Sequence, residues 1–322
     1  MSGLTRRAAL ALAALAPGAR AQAQAQTESG PWLVATEYPA SAIPGEGVAH
    51  FAAAVSARGI AAQAQAAAPG YRSADAFAAL AARRYAVADS FAGALGETDA
   101  LFLLSSLPFL TNSPADAARL RDLARPHYAA AAARHGAALL WTTPWPPSGL
   151  WSRTPVTTPD ALRGLRLRTY DSTGTEVMRA AGAEAEALSF AQVDARLAAG
   201  TLDAVLSSGD GGAGRQLWRW LPHFTEISYA WPLSLAFMDA ARLAANRDAV
   251  TAAASETEAL QWRAIEGRLA ANRQVMAANG VTVHAPTEAL RAALRAAAAV
   301  SVEAWKARAG EAGRAVLTAY AG

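Results

Sequence analysis

Arg168 closes the run Leu165-Arg166-Leu167-Arg168-Thr169, whose alternation of apolar and polar residues has the period of a strand. A guanidinium presents a planar fork of N–H donors that matches a carboxylate through two parallel hydrogen bonds, a geometry lysine lacks. Ligands of open α/β sheets bind at the carboxyl ends of the strands, so a fork at that end is aimed at a solute. Arginine supplies nearly every cation of this chain, with Lys306 the only lysine, so position rather than residue type singles Arg168 out. Other chemistries find little footing. The histidines at 50, 127, 135, 223 and 284 show no metal-ligand spacing such as HExxH, and there is no GxSxG nucleophile elbow. The absence of cysteine excludes thiol catalysis and cysteine-held metals. Asp171, Asp203 and Asp210 form no acid–base dyad by spacing, and Asp203 suits capping or turn hydrogen bonding. None of these residues forms a recognisable catalytic constellation.

The elements that position Arg168 follow from local signals. Thr158-Pro159-Asp160 starts a helix, with a capping side chain and a proline suited to the first turn. Thr175 to Ala181 suits a helix that stops at Gly182, Phe190 to Ala199 a second one closed by Gly200, and Leu202 to Leu206 a buried strand. Strands alternating with helices predict an α/β fold with a parallel sheet. Upstream, Trp32 to Thr36, Ala86 to Asp89, Leu101 to Leu104 and Ala137 to Trp141 read as strands, and Val48 to Val55 and Pro114 to Ala133 as helices. Between Asn246 and Asn279 there is no proline and one glycine, Gly267, where a bend would fall. A helix of that span would exceed about 40 Å at ~1.5 Å per residue, enough to run across two lobes.

Several fragments, in order, resemble the core of the periplasmic solute-binding subunits of TRAP transporters, the DctP type. They are Pro155-Val156, Asp160-Ala161-Leu162, Gly164-Leu165-Arg166-Leu167-Arg168, Ala181-Gly182-Ala183, Phe190, and Gln192 through Asp203; Leu107-Pro108-Phe109-Leu110 matches a further family turn. The resemblance covers residues 32–239. It implies a two-lobed periplasmic solute-binding fold with a long interlobe helix, capture of a small organic acid for delivery to TRAP permease membrane subunits, and no catalytic residues and no cofactor. The matching arginine, Arg168, would pair with the solute carboxylate, Phe190 would be the aromatic contact, and Ser207 stands where the family has Asn. Ser148 or Gly149 replaces the second arginine of sialic-acid-binding members, and Gln192 a Glu, which argues against a sialic acid ligand. Glu37, in the loop after the first strand, either faces the solute, favouring a hydroxyl, an amine or a bridging metal there, or hydrogen-bonds backbone in its own loop. Tyr38, Trp145, Ser148, Tyr170 and Asp171 complete the expected ligand-binding set, while Trp218, Trp220 and Trp231 are core or cleft residues.

The N-terminus reads as a targeting segment. Arg6-Arg7, the apolar run Ala8 to Ala16 and the A-x-A site Ala19-Arg20-Ala21 make residues 1–21 a signal peptide, secretory or twin-arginine, followed by a flexible tail over 22–30. The expected location is periplasmic, with cleavage near Ala21. The whole chain has 29 basic and 26 acidic residues; Arg6, Arg7 and Arg20 leave with the signal, so the remainder balances at 26 and 26. Without a basic excess or clustered basic face, nothing points to nucleic acid. The length suits two lobes: 31–147 with a return over about 229–265, and 148–228 with about 266–322.

One motif supports another class of function. Gly209-Asp210-Gly211-Gly212-Ala213-Gly214 fits the dinucleotide fingerprint GxGxxG after a strand, which would make the protein an exported nucleotide-dependent oxidoreductase. The fingerprint belongs after the first strand of its domain with an acid ~20 residues on. Here several α/β units precede it and the nearest placed acid, Asp239, comes late, so a glycine-rich turn at a pocket rim is the competing account.

Overall fold

The computed structural model describes residues 30–322; the expected signal peptide and all but the end of the expected tail lie outside the described residues. The strands are β1 (Trp32–Ala35), β2 (Ala62–Gln65), β3 (Val87–Phe91), β4 (Ala137–Pro144), β5 (Ser148–Ser152), β6 (Arg166–Thr169), β7 (Glu184–Ala187), β8 (Ala204–Ser208), β9 (His223–Thr225), β10 (Leu233–Asp239) and β11 (Thr282–His284). The helices are α1 (Ile43–Ser56), α2 (Ala76–Ala81), α3 (Pro114–Ala133), α4 (Pro159–Leu162), α5 (Ser172–Ala180), α6 (Phe190–Ala198), α7 (Gly209–Gly214), α8 (Ala240–Ala245), α9 (Arg247–Ala278) and α10 (Glu288–Ala321).

Two mixed sheets result. The first has the order β2-β1-β3-β10-β4 and the second β11-β9-β5-β8-β6-β7. In the first, β1 runs parallel to β2 and β3, while β10 lies antiparallel between β3 and β4. In the second, β6 is parallel to β7 and β8, and β5 is antiparallel to β8 and β9. The expected α/β, two-lobed architecture with a long helix is therefore present. Residues 144–148 and 229–233 carry the chain between the sheets, and these crossings bond to one another: Trp145 N–H donates to Pro232 O and Ser148 N–H to Ala230 O, both at 2.9 Å.

Local chemistry places the helix ends. Thr158, Asp171 and Ser208 each accept a backbone N–H in the first turn of α4, α5 and α7. Gly182 and Gly200 adopt the left-handed φ that stops α5 and α6 (103° and 68°), a conformation cheap only for glycine. The long α9 runs unbroken through Gly267, burying Val250, Ala253, Thr257, Ile265 and Met276 along one face.

Two expectations need correction. Leu101 to Leu104 is not a strand but part of a 3-10 turn over Ala100–Ser106, started by the Asp99 side chain, which accepts from Leu101 N–H. A short apolar run has no period that separates the two. The C-terminal residues also do not stay with the second lobe. Leu290 and Leu294 of α10 enter the second core, but Trp305 and Val316 are buried in the first, where Trp305 Nε1–H donates to Ala100 O at 2.7 Å. The helix breaks at Gly310 (φ 64°), and the run before that break, about 33 Å at ~1.5 Å per residue, already carries Trp305 from the second lobe to the first.

Candidate functional site

The carboxyl ends of β1, β3, β6 and β8 converge on a cavity of about 310 Å³. The first lobe contributes Tyr38 and Phe91, the crossings Trp145 and Pro232, and the second lobe Ser148, Arg168, Tyr170, Phe190, Ser207, Ser208 and Gly211. Of the nine residues expected to bind ligand, seven thus meet in one place. A wider outer cavity of about 720 Å³ shares Tyr38, Phe91, Arg168, Tyr170 and Phe190 with it and adds Glu37, Ser73 and Gln192.

Arg168 is 4% exposed and carries the only charge on the inner wall. Its Nε–H donates to Leu188 O at 2.8 Å and Nη1 to Leu206 O at 3.1 Å, and the guanidinium lies 4.2 Å from the Phe190 ring centroid. These bonds use Nε–H and one N–H of Nη1, and leave Nη2 without a protein acceptor. Among the described residues no carboxylate comes within ion-pair distance. Burial pushes its pKa down to about 10, which still leaves it protonated at neutral pH. A buried cation with no protein counter-ion costs free energy, so something other than this chain is expected to complete it.

The walls explain what surrounds that charge. Tyr38 and Trp145 meet edge-to-face at 4.7 Å, and Phe91 and Tyr170 at 5.0 Å, so aromatic edges and faces line most of the cavity. Trp145 Nε1–H is satisfied by Ser234 Oγ at 3.0 Å. Ser148 Oγ and Tyr170 OH are buried without a hydrogen-bond partner beyond each other. Burial holds the Tyr38 and Tyr170 phenols well above their ordinary range, so both are neutral hydroxyls that donate as well as accept.

Two expected residues sit elsewhere. Asp171 does not reach the cavity: it caps α5, accepting Gly174 N–H at 2.7 Å, and burial pushes its carboxyl up to about 7. A residue directly after a strand can face the ligand or cap the next helix, and here the cap prevails. Glu37 combines both of its readings in altered form. It lines the outer cavity, but its carboxylate accepts the hydroxyl and the N–H of Ser73, a residue of another loop, rather than backbone of its own. Arg166, two residues before Arg168, is bound to Asp203 through Nε and Nη2 at 2.6 and 2.5 Å, half exposed and away from the cavity.

Sequence reasoning missed Phe91, Ser208 and Pro232 of the cavity wall, while Gly211 lies in the glycine-rich run read as a pocket rim. Phe91 was within reach, since it ends a buried strand on the ligand side; Pro232 depends on where the second crossing runs. The glycine-rich 209–214 run forms α7 rather than a phosphate turn. A Cβ at Gly212 would stand 2.2 Å from the Trp151 ring and one at Gly211 2.7 Å from Ser207 Oγ, so these glycines admit protein side chains. Asp210 within the run is spent on Ile43 N–H at 2.9 Å. Among the described residues no group of three or more His, Asp or Glu could hold a metal, and no helix is long and apolar enough to cross a membrane.

Comparison with known proteins gives the fold a family. The chain is similar to the extracytoplasmic solute receptor DctP7 of Bordetella pertussis, which binds pyroglutamic acid (TM-score 0.86, 24% identity, 91% of this chain and 100% of that one). It is likewise similar to a marine metagenome TRAP solute-binding protein specific for pyroglutamate (TM-score 0.85, 24% identity, 92% and 99%). The ectoine-binding protein of the Halomonas elongata TeaABC transporter shares the fold at 18% identity (TM-score 0.84, 90% and 98%). No curated protein matches the chain. The profile of the bacterial extracellular solute-binding proteins, family 7 (DctP), matches residues 36–308, most of the chain. With that match and the cavity between its two lobes, this chain belongs to family 7 of the bacterial extracellular solute-binding proteins, the DctP family.

Proposed function

We propose that the protein captures a small organic carboxylate in the inner cavity by closing its lobes and delivers it, outside the cytoplasm, to the membrane subunits of a TRAP permease. The observation that carries this reading is the buried Arg168 guanidinium, which has two N–H groups fixed on carbonyls and no protein carboxylate to neutralise it. A carboxylate on the free Nη2 side of the fork supplies the missing charge at a guanidinium that is itself buried. The aromatic walls favour a compact body, and the neighbouring Ser148 Oγ and Tyr170 OH, which have no partner beyond each other, offer polar contacts for an amide or hydroxyl on it. Pyroglutamate, the ligand of two proteins of like fold, fits that description: a five-membered lactam with one carboxylate.

Lobe one comprises 31–147 and the return through β10 and the first part of α9; lobe two comprises 148–228 with the rest of α9 and the start of α10. The chemistry asked of the site is binding alone. A thermal-shift screen of organic acids, each beside its uncharged amide, tests the proposal. At 100 times its dissociation constant a ligand adds ~2.7 kcal/mol. At about 2–4 °C per kcal/mol for a chain of roughly this size, the true acid should raise the melting temperature by about 5 °C or more, and its amide should not. Equal shifts from acid and amide would remove Arg168 as the anchor.

A further inference from the structure

Arg215 has no place in the expectations drawn from the sequence. It follows α7 where left-handed Gln216 (φ 54°) turns the chain. Its Nη2 donates to the Glu37 carbonyl at 2.9 Å, its guanidinium carbon lies 4.4 Å from the Phe190 ring centroid and 5.9 Å from that of Tyr38, and its buried Nε has no partner. Glu37 and Tyr38 belong to the loop after β1 in the first lobe; Arg215 and Phe190 belong to the second. One side chain therefore reaches across the cleft and packs on a wall ring from each lobe. Asp210, at the other end of α7, makes a parallel crossing. Its carboxylate, 3% exposed, accepts Ile43 N–H at the start of α1 and pairs with Arg268 at 3.3 Å. The 210–215 segment is thus fastened to residues 37–43 at both of its ends.

We infer that Arg215 is a positioning residue for solute binding: it holds Glu37 and Tyr38 over the cavity and backs Phe190, so that it slows solute escape without touching the solute. The inference rests on reading the cavity as the solute site. Arg215 does not line that cavity, so it carries no preference among acids. Its contacts join the two lobes and are lost when they part. An interaction present only in the closed state acts on dissociation, while the encounter with the open protein proceeds without it. Both jobs use properties peculiar to arginine, a flat face for the ring and a fork that donates sideways, so lysine should replace it poorly.

The test is stopped-flow binding of pyroglutamate and of one other acid from the screen, followed by tryptophan fluorescence, in the wild type, Arg215→Lys and Arg215→Met. Both variants should release each acid about 10-fold faster, with association within about 3-fold of wild type and the ratio of the two affinities unchanged. Arg168→Lys, by contrast, should erode the preference for acid over amide. If Arg215→Met fails to fold, Arg215→Lys alone decides. Unchanged release in a folded variant overturns the inference. So does slower association that lysine restores, because that outcome means the charge merely steers the anion. A wild type that binds no acid in the screen defeats the solute reading itself and this inference with it, a result seen before any variant is measured.

Discussion

Replacing Arg168 separates what the residue does for the fold from what it does for the solute. Burial pushes its pKa down from the ordinary arginine range to about 10, and at about 1.36 kcal/mol per pH unit the ligand-free fold carries a net cost of about 3 kcal/mol for this one cation. The sign is destabilising at every pH below about 10, because the folded state disfavours the protonated form. Arg168→Met removes that cost but orphans Leu188 O and Leu206 O, at about 1 kcal/mol or more each. The two effects nearly cancel, so the ligand-free melting temperature should move little, by the equivalent of less than about 2 kcal/mol. Binding has no such offset. Arg168→Lys keeps the charge but loses the fork, and should weaken the acid by ~2 kcal/mol or more, roughly 30-fold. Arg168→Met should lose more still. Arg166→Lys is the control, since Arg166 is bound to Asp203 and half exposed. Titration calorimetry on the lysine pair, with melting curves on all three variants, reads both halves. Equal and small losses for the two lysine variants would refute the anchor assignment, and a collapse of ligand-free stability in Arg168→Met would refute the desolvation argument.

Two further outcomes follow from packing and titration. Gly212→Ala places a methyl 2.2 Å from the Trp151 ring, so α7 must shift, and chemical denaturation should show a loss of about 1–3 kcal/mol. Asp89 and Asp171 are buried carboxyls raised to about 8 and about 7. Their folded values exceed the unfolded one, so the stability they confer when protonated is present below about pH 4 and is lost as pH rises through 7 and 8. Melting temperatures of the ligand-free protein should fall across that window, and Asp89→Asn should flatten the fall; an unchanged pH slope in that variant would count against it.

The parts of this protein legible in the sequence were those fixed by near neighbours. Thr158 capping α4, the alternation ending in Arg168, and the stops at Gly182 and Gly200 each depend on a few consecutive residues, and they stand where the sequence put them. The cavity was largely legible because strand ends in an α/β sheet share a side, so Arg168, Tyr170 and Ser207 had to meet. What escaped was decided at long range or by competition. Arg215 is one arginine among many, and its partner Glu37 O is a backbone atom 178 residues away, invisible to any motif. Asp171 had two local uses open to it, and the choice of capping depended on how deeply β6 buries its end. The span of α10 was hidden because its apolar positions fit either lobe until Trp305 finds Ala100 O.

The order of the strands in the first sheet bears on how the chain reaches this state. β10 lies in the sheet between β3 and β4, yet it follows every β-strand of the second sheet except β11 in the sequence. An N-terminal stretch ending near residue 147 therefore lacks the strand that joins β3 to β4, and leaves both with unpaired edges. Such edges are templates for wrong pairing until residues 233–239 arrive. Completion of the first lobe before the second has been made is closed to this topology. The contacts that close the first sheet are of long sequence separation, which slows the rate-limiting step. The stretch 31–147 expressed alone should not be soluble, and refolding should proceed slowly, with protection of β3 and β4 amides appearing together with that of β10.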